Sequence, residues 1–484
     1  MQKYVNSCAE FAYKKEEISQ TVHMQALGGE MDGRVKRGFF QVNKGKGGFI
    51  QNAVWIALGG FIAKLIGGLY RIPLTNLVGA RGLGLYQLVY PVYCLFLTAS
   101  TGIPSTIAKL TAEQLGQGKS AEPLFKRAMK LFIAVGLTAT ALMAIIAPFI
   151  AKAQGAEEVL GGYYALAPAV ALVSVISVFR GYFQGANNML PTALSEIVEQ
   201  VVKVGLGILF AYLFRGNIIK TVVWLLLSVS LSEVFALVML FSIYKNGESV
   251  KIKQNGHTMY ALKPILRLFI PVTLSGILLP ASALLDSVLV PRLLSAYAED
   301  AVTLFGLFAG GAATLINLPV SVCYGIAAAS VPAVSAASAT GKKREVRRRI
   351  RFALFITAAV ALPCAVGLYF FADIAVKIIF RNLSVAETQT LIQLTKSLAI
   401  STFTLSCAQT LSACLTAQGK PKFAAFSWLI ALSVKTICYS FWLKNPAVSV
   451  LGLAYATNVA YLVAFLLDLL YNFYVSKNRK EKKA

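Results

Sequence analysis

The chain has 484 residues, of which 57% are hydrophobic and only 14% are charged, and its mean hydropathy is +0.66. A soluble domain is about 25% charged, so this composition excludes a soluble globular protein and indicates a membrane protein. The 46 Lys and Arg outnumber the 21 Asp and Glu; this excess is typical of cytoplasmic loops, and no nucleic-acid partner is predicted. The seven cysteines lie mostly in apolar runs, and the two histidines are far from any group of cysteines. We therefore predict no disulfide framework, no metal site and no cofactor.

The chain begins with a polar stretch that has no apolar run, and residues 1–48 are predicted to form a disordered cytoplasmic extension. Apolar runs then recur to the end of the chain. A helix needs about 20 apolar residues to cross about 30 Å of hydrocarbon. Twelve runs reach that length, near residues 49–70, 84–106, 129–150, 161–180, 192–214, 220–244, 264–290, 304–328, 352–372, 389–413, 423–443 and 449–472.

Lys and Arg are concentrated in alternate connections between these runs. With the N-terminus inside, most of the 46 fall on the inner side, and Arg180, at the end of the fourth run, is counted among them. Because cytoplasmic loops are enriched in Lys and Arg, both termini are predicted to be cytoplasmic. The predicted organisation is a six-helix half at 49–244, a cytoplasmic linker at 245–263, a second six-helix half at 264–472 and a basic cytoplasmic tail at 473–484.

Two sequence patterns recur half a chain apart. The segment GIPS at 102–105, which ends the second run, corresponds to SVPA at 330–333, which ends the eighth. A second set recurs around the fifth and eleventh runs: Gln184, Gly185, Ser195 and Lys203 match Gln418, Gly419, Ser427 and Lys435. The spacing predicts a duplication of six helices. Since six is even, the two halves would share one orientation and be related by an axis along the membrane normal.

Ionisable residues inside the runs mark candidate functional positions, because each costs about 2.5–3.5 kcal/mol on insertion scales. Glu196, Glu199 and Lys203 fall at i, i+3 and i+7 of the fifth run and share one helical face. Two interpretations stay open: a self-neutralised cluster that fixes helix packing, or a site for substrate or a proton. Glu233 and Asp286, in the sixth and seventh runs, are candidate carriers of a coupling cation, either H⁺ or Na⁺.

Cations near the ends of two runs form a second group. Lys64 and Arg71 lie seven residues apart on one face of the first run, Arg81 follows in a predicted short outer loop, and Arg292 ends the seventh run. Arg binds phosphate oxygens bidentately, so these residues favour an anionic substrate. The alternative is that they extend to lipid headgroups, as cationic side chains at helix ends often do.

The sequence carries no enzyme signature. GQGKS at 116–120 resembles the end of a phosphate-binding loop, but Glu113 stands where that motif needs glycine. No stretch outside the runs is long enough for a catalytic domain. We therefore predict no catalytic residues and no enzymatic activity.

Several motifs resemble those of one known family. The resemblance to the stage V sporulation protein B family is carried by GLYRIPL at 68–74, GLGLYQ at 82–87, YPVY at 90–93, GIP at 102–104, FRGYFQG at 179–185, NMLPTA at 188–193 and Glu199-Gln200. It covers residues 49–475. That family belongs to the multidrug, oligosaccharidyl-lipid and polysaccharide exporter superfamily.

The resemblance implies an all-α polytopic membrane protein. Its helices would form two pseudo-symmetric six-helix lobes around a V-shaped cavity, as in multidrug and toxin extrusion antiporters. The lobes would alternate access between the two faces of the bacterial cytoplasmic membrane. The implied partners are membrane lipids and a lipid-linked, pyrophosphate-bearing saccharide used in cell-wall, polysaccharide or spore-cortex assembly.

Site residues follow by position from the related murein-precursor flippases. Arg71, Arg81 and Arg292 would hold the pyrophosphate, and Lys64 would draw it inward. Tyr86, Gln87 and Tyr90 on the second run would stack on or bond to sugar, or serve helix packing instead.

The sequence as a whole predicts a flippase for an undecaprenyl-pyrophosphate-linked saccharide. One alternative is a cation-coupled multidrug antiporter, whose cavity would be dominated by acids and aromatics. The other is a scaffold that moves nothing and recruits wall-synthesis enzymes. The scaffold interpretation requires that function survives charge reversal in the cavity.

Overall fold

The computed structural model describes residues 46–246, 260–339, 343–446 and 448–477, and the regular structure in those ranges is helical. The all-α prediction is confirmed there. Residues 1–45, most of the predicted linker and the end of the predicted tail lie outside them. The α-helices are α1 Lys46–Thr101, α2 Ile103–Gly116, α3 Glu122–Ala153, α4 Leu160–Gly185, α5 Leu190–Leu213, α6 Ile218–Asn246, α7 Leu262–Gly276, α8 Leu278–Leu294, α9 Ala301–Gly306, α10 Ala313–Ala339, α11 Lys343–Phe370, α12 Ala372–Ile379, α13 Val385–Ala417, α14 Pro421–Trp442 and α15 Leu451–Lys477.

Within these described ranges, nine helices are long and apolar enough to cross a membrane, and each corresponds to one predicted run. The first, fifth and seventh runs are the exceptions. The first lies in the opening arm of α1. The fifth is α5, which carries three charged residues, Glu196, Glu199 and Lys203, close together in its sequence. The seventh is divided between α7 and α8.

Local backbone chemistry explains two departures from the predicted runs. Gly79 has φ +68° and a non-helical backbone, so the first two runs form two helical arms of α1 that meet at a kink at this residue, with no longer loop between them. Arg81 accordingly lies in helix, just past the kink. The seventh run breaks after Gly276 because Pro280, four residues later, has no N–H to donate to the Gly276 carbonyl.

The two halves repeat one packing scheme. In the first half, α4 packs against α2, α3 and α6, and α6 also packs against α5. In the second, α13 packs against α10, α11 and α15, and α15 also packs against α14. These are the matching pairs under the predicted duplication, and they give the two halves similar cores. The predicted lobe boundaries at 49–244 and 264–472 remain predictions.

The halves meet tightly near the α1 kink. Asn76 Nδ2 donates to the Ile379 carbonyl at 2.9 Å, and the Arg381 N–H donates to Asn76 Oδ1 at 2.8 Å. Close by, a Cβ added at Gly84 would lie 2.1 Å from the Val302 carbonyl oxygen, so glycine is required for this backbone approach. The charge pattern predicts this end to be the outer one.

Candidate functional site

A cavity of ≈ 620 Å³ lies between the halves, bounded by α1, α4, α5 and α10. Its volume falls in the range of about 300–1,000 Å³ that ligand pockets usually have. Charged residues occupy the α4 and α5 side, tyrosines lie on α1, and Asn317 of α10 closes the opposite side. All three predicted charges of the fifth run, Glu196, Glu199 and Lys203, line it.

Arg180 is part of this charged wall. Its Nη2 donates to Glu199 Oε2 at 3.0 Å and its Nε donates to Ser195 Oγ at 2.9 Å. The side chains of Arg180 and Glu199 are only 14% and 18% exposed. This corrects the assignment of Arg180 to the loop charges: it ends α4 facing inward, where the Glu199 carboxylate compensates its charge.

Two of the predicted sugar-contacting residues line the same cavity. The rings of Tyr86 and Tyr90 stack with centroids 5.3 Å apart and an interplanar angle of 19°, one helical turn from each other on α1. Tyr90 also contacts Tyr93, at 5.7 Å between centroids. The stack presents an aromatic surface to the cavity, and it also packs α1.

A smaller cavity of ≈ 220 Å³ lies on the other side of Asn317, which lines both. It contains a buried ion pair: Lys435 Nζ on α14 donates to Asp286 Oδ2 on α8 at 2.5 Å. Tyr439 donates from its hydroxyl to Asp286 Oδ1 at 2.7 Å. The structure therefore brings Asp286 to a cavity, but to a different one from Glu199.

Gln87 lines the smaller cavity, and its amide already has a partner. Its Nε2 donates at 2.9 Å to the carbonyl of Ala309, within a π-helical turn at Leu307–Ala312. π-turns widen a helix locally and are frequent at functional sites. Gln87 thus links the two halves as well as facing the cavity.

The predicted cationic group is not assembled at one point. Arg81 is half-exposed and donates to Glu158 Oε1 at 3.2 Å, and Arg292 is exposed at the end of α8; neither lines the two cavities. The side chains of Lys64 and Arg71 lie outside what the structure describes.

Each half also contains a buried acid on its last helix. Glu233 on α6 is 3% exposed, and its Oε2 has no hydrogen-bond partner among the described residues. Its carboxylate interacts electrostatically with Arg180, Glu199 and Lys203. Asp468 lies on α15, the last helix of the second half; it is fully buried, accepts a hydrogen bond from Ser412, and its Oδ1 has no hydrogen-bond partner in the described part of the chain.

Sequence reasoning missed Arg180 and Asp468 as interior charges. Arg180 stands at the boundary of its run and was counted as a loop residue. Asp468 lies inside the twelfth run, where the cost of a charge within a span is the signal that would have revealed it. In the described part of the chain no cluster of three or more His, Cys, Asp or Glu is arranged to bind a metal ion.

Comparison with known proteins identifies the relatives of this arrangement. A family model described as "Polysaccharide biosynthesis protein" matches residues 49–338, and the MatE model matches 271–442. Stage V sporulation protein B of Bacillus subtilis is 27% identical over 69% of this chain and 67% of its own length. The lipid II flippase MurJ of the same organism is 24% identical over 87% of this chain and 81% of its own. An inward-facing multidrug MATE transporter of the MOP superfamily superposes with a TM-score of 0.72 at 17% identity, covering 87% of this chain and 96% of that one.

Proposed function

Because this chain belongs to the polysaccharide biosynthesis protein family, we propose that it moves an undecaprenyl-pyrophosphate-linked saccharide across the bacterial cytoplasmic membrane. It is a multi-pass membrane protein of the MOP superfamily with a MATE-like fold, of the stage V sporulation protein B type. Its relatives are transporters and flippases rather than enzymes. The saccharide cargo and its direction of movement are our proposal.

The observation that carries the proposal is the composition of the larger cavity. A lipid-linked saccharide offers an anionic pyrophosphate and a polar sugar. The cavity offers Lys203 and Arg180 on one side and the stacked Tyr86 and Tyr90 on the other. Cations bind phosphate oxygens, and aromatic rings pack against the apolar faces of sugars.

The predicted cations take successive places along this path. Lys64 and Arg71, on the first arm of α1, bind the pyrophosphate when the cargo enters from the inner leaflet. Arg81 and Arg292 lie near the end of the bundle that is predicted to be outer, where they receive the headgroup as it leaves. The Asn76 contact and the Gly84 approach between the halves close that end until the lobes rock apart.

The test is a reconstituted flipping assay. Purified protein is placed in liposomes with a fluorescent undecaprenyl-pyrophosphate disaccharide, and the fraction reached by an external quencher is followed over time. We expect movement by the wild type and its loss in Arg71→Ala with Arg292→Ala. Lys220→Ala is the matched control, because Lys220 is an exposed cation outside both cavities.

The alternatives predict different results in the same liposomes. Proton-driven movement of a cationic dye, with no movement of the lipid, would indicate an antiporter instead. A protein that moves neither but restores wall synthesis in cells, even with the cavity charges reversed, would indicate a scaffold. Movement that the double substitution leaves unchanged would remove the arginines from the mechanism.

A further inference from the structure

The ion pair in the smaller cavity faces open space rather than a packed core. The Lys435 and Asp286 side chains are only 8% and 15% exposed, yet both line the cavity. The other described residues that line this cavity are uncharged: Gln87, Asn317, Ser401, Thr457 and Tyr461 are polar, and the rest are apolar. A molecule entering the cavity could therefore reach both charges without displacing any other ion.

The two helices that carry the pair are otherwise only loosely joined. α8 packs mainly against α1 of the first half, and α14 packs mainly against α15. In the first half, the corresponding helices α1 and α5 pack extensively against each other. The ion pair between Asp286 and Lys435 thus joins two helices that make few other contacts with each other. It can therefore break without disrupting a packed core.

The duplication gives each cavity one lysine at the same repeat position. Lys203 lines the larger cavity and Lys435 the smaller one, and Asn317 lies between the two cavities. Each lysine shares its cavity with carboxylates: Glu196 and Glu199 in the larger, Asp286 in the smaller. A pyrophosphate has two linked phosphates, and Lys203 and Lys435 offer it two cationic groups, one in each cavity beside Asn317.

We propose that Lys435 is a counter-ion exchange site for a phosphate group of the cargo, which deepens the proposed function and rests on it. Phosphate oxygens replace Asp286 on the Lys435 ammonium, and the released Asp286 carboxylate takes up a proton from a hydronium ion of the aqueous phase. One O–H bond breaks in the hydronium ion, one forms on Asp286, and no other covalent bond changes. When the cargo leaves, the proton returns to water and Asp286 binds Lys435 again.

The proton is required because a buried carboxylate without a compensating charge is costly. The titratable groups facing Asp286 are Lys435 and Tyr439 on α14 and Tyr461 on α15. With Lys435 occupied by phosphate, the tyrosines offer hydroxyls but no positive charge. Each cargo molecule bound thus brings one proton with it, so cargo and proton move in the same direction and an acidic outer compartment opposes export.

Two measurements test the exchange separately from the flipping. In detergent, at weak buffering, inorganic pyrophosphate is added and proton uptake is read with a pH indicator. We expect the wild type to take up about one proton more than Asp286→Asn. In liposomes, we expect Lys435→Gln to weaken cargo binding at least about tenfold, the effect of losing one charge-assisted bond, and Asp286→Asn to move cargo without responding to a pH gradient.

Controls cover folding and site specificity. Lys435→Arg keeps the charge and is expected to bind pyrophosphate, which shows that Lys435→Gln acts through charge rather than misfolding. Lys396→Gln removes a cation paired with Asp373 outside both cavities and is expected to behave as wild type.

The outcomes separate the two ideas. Equal proton uptake in wild type and Asp286→Asn, or unchanged cargo binding in a folded Lys435→Gln, overturns the exchange. Proton uptake on pyrophosphate in a protein that moves no lipid-linked saccharide keeps the exchange and overturns the proposed cargo.

Discussion

Arg180 at the end of α4 and Glu199 on α5 form an ion pair of 3.0 Å in the wall of the larger cavity. The pair joins consecutive helices of the first half. Ser195 Oγ also accepts a hydrogen bond from Arg180 Nε at 2.9 Å. Glu199, for which the sequence left open both a packing role and a site for substrate or a proton, therefore holds two helices together.

Breaking this pair on one side should cost stability. Arg180→Leu is expected to lower the free energy of unfolding by about 3 kcal/mol, because it leaves the Glu199 carboxylate buried and unpaired. Arg180→Met combined with Glu199→Leu should recover part of that loss. Thermal unfolding in detergent measures both. Arg349→Leu, which breaks a more exposed pair with Glu345, serves as control, and an equal loss there would contradict the argument.

Removing the Asn76 side chain should favour opening of the predicted outer end. Asn76→Ala deletes the bonds to the Ile379 carbonyl and from the Arg381 N–H. Each is worth about 0.5–1.5 kcal/mol net, so the open population should rise several-fold or more. Spin labels at Lys220→Cys and Lys444→Cys, in the two halves, would report a longer mean distance. An unchanged distance distribution would show that Asn76 does not hold this end closed.

Gly84→Ala should act at the same end by steric exclusion. The added Cβ would lie 2.1 Å from the Val302 carbonyl oxygen, and real contacts of this kind do not go below 3.0 Å. The halves must therefore separate, and the same spin-label distance should lengthen. Gly325→Ala is the control, because nothing lies within 4 Å of a Cβ there. If both variants gave the same distances, the close approach at Gly84 would not determine how near the two halves lie.

One ion pair whose acid, Asp373, lies outside the spans should give a pH-dependent contribution. The hydrogen bond from Lys396 and its charge hold the pKa of Asp373 below its usual value of 3.8. A carboxyl group whose pKa is lower in the folded state than in the unfolded state stabilises the protein at pH values above its usual pKa. This stabilisation is lost as the pH falls through the pKa of the folded state. Asp373→Asn should thus unfold slightly earlier than wild type at pH 6. Unfolding midpoints that differ equally at pH 6 and pH 3 would contradict this.

The sequence by itself determined the class of protein and most of its spans. Hydropathy is a property of each helix alone in lipid, because every backbone polar group must bond within its own segment. For that reason the runs at 161–180 and 389–413 reappear almost unchanged inside α4 and α13. The duplication was also readable, since Lys203 and Lys435 keep equivalent places in the two halves.

Only the tertiary structure decided which charges meet. The spacing of Glu199 and Lys203 indicated a pair within α5, and only the structure shows that Glu199 also pairs with Arg180 of α4. Asp286 and Lys435 lie on helices far apart in sequence and meet in a second cavity. Arg81 turns to Glu158 instead of the cavity. Helical periodicity determines the helix face on which a charged residue lies. Its partner depends on how the helices pack across the bundle, because an unpaired buried charge is costly and packing that pairs the charges is therefore favoured.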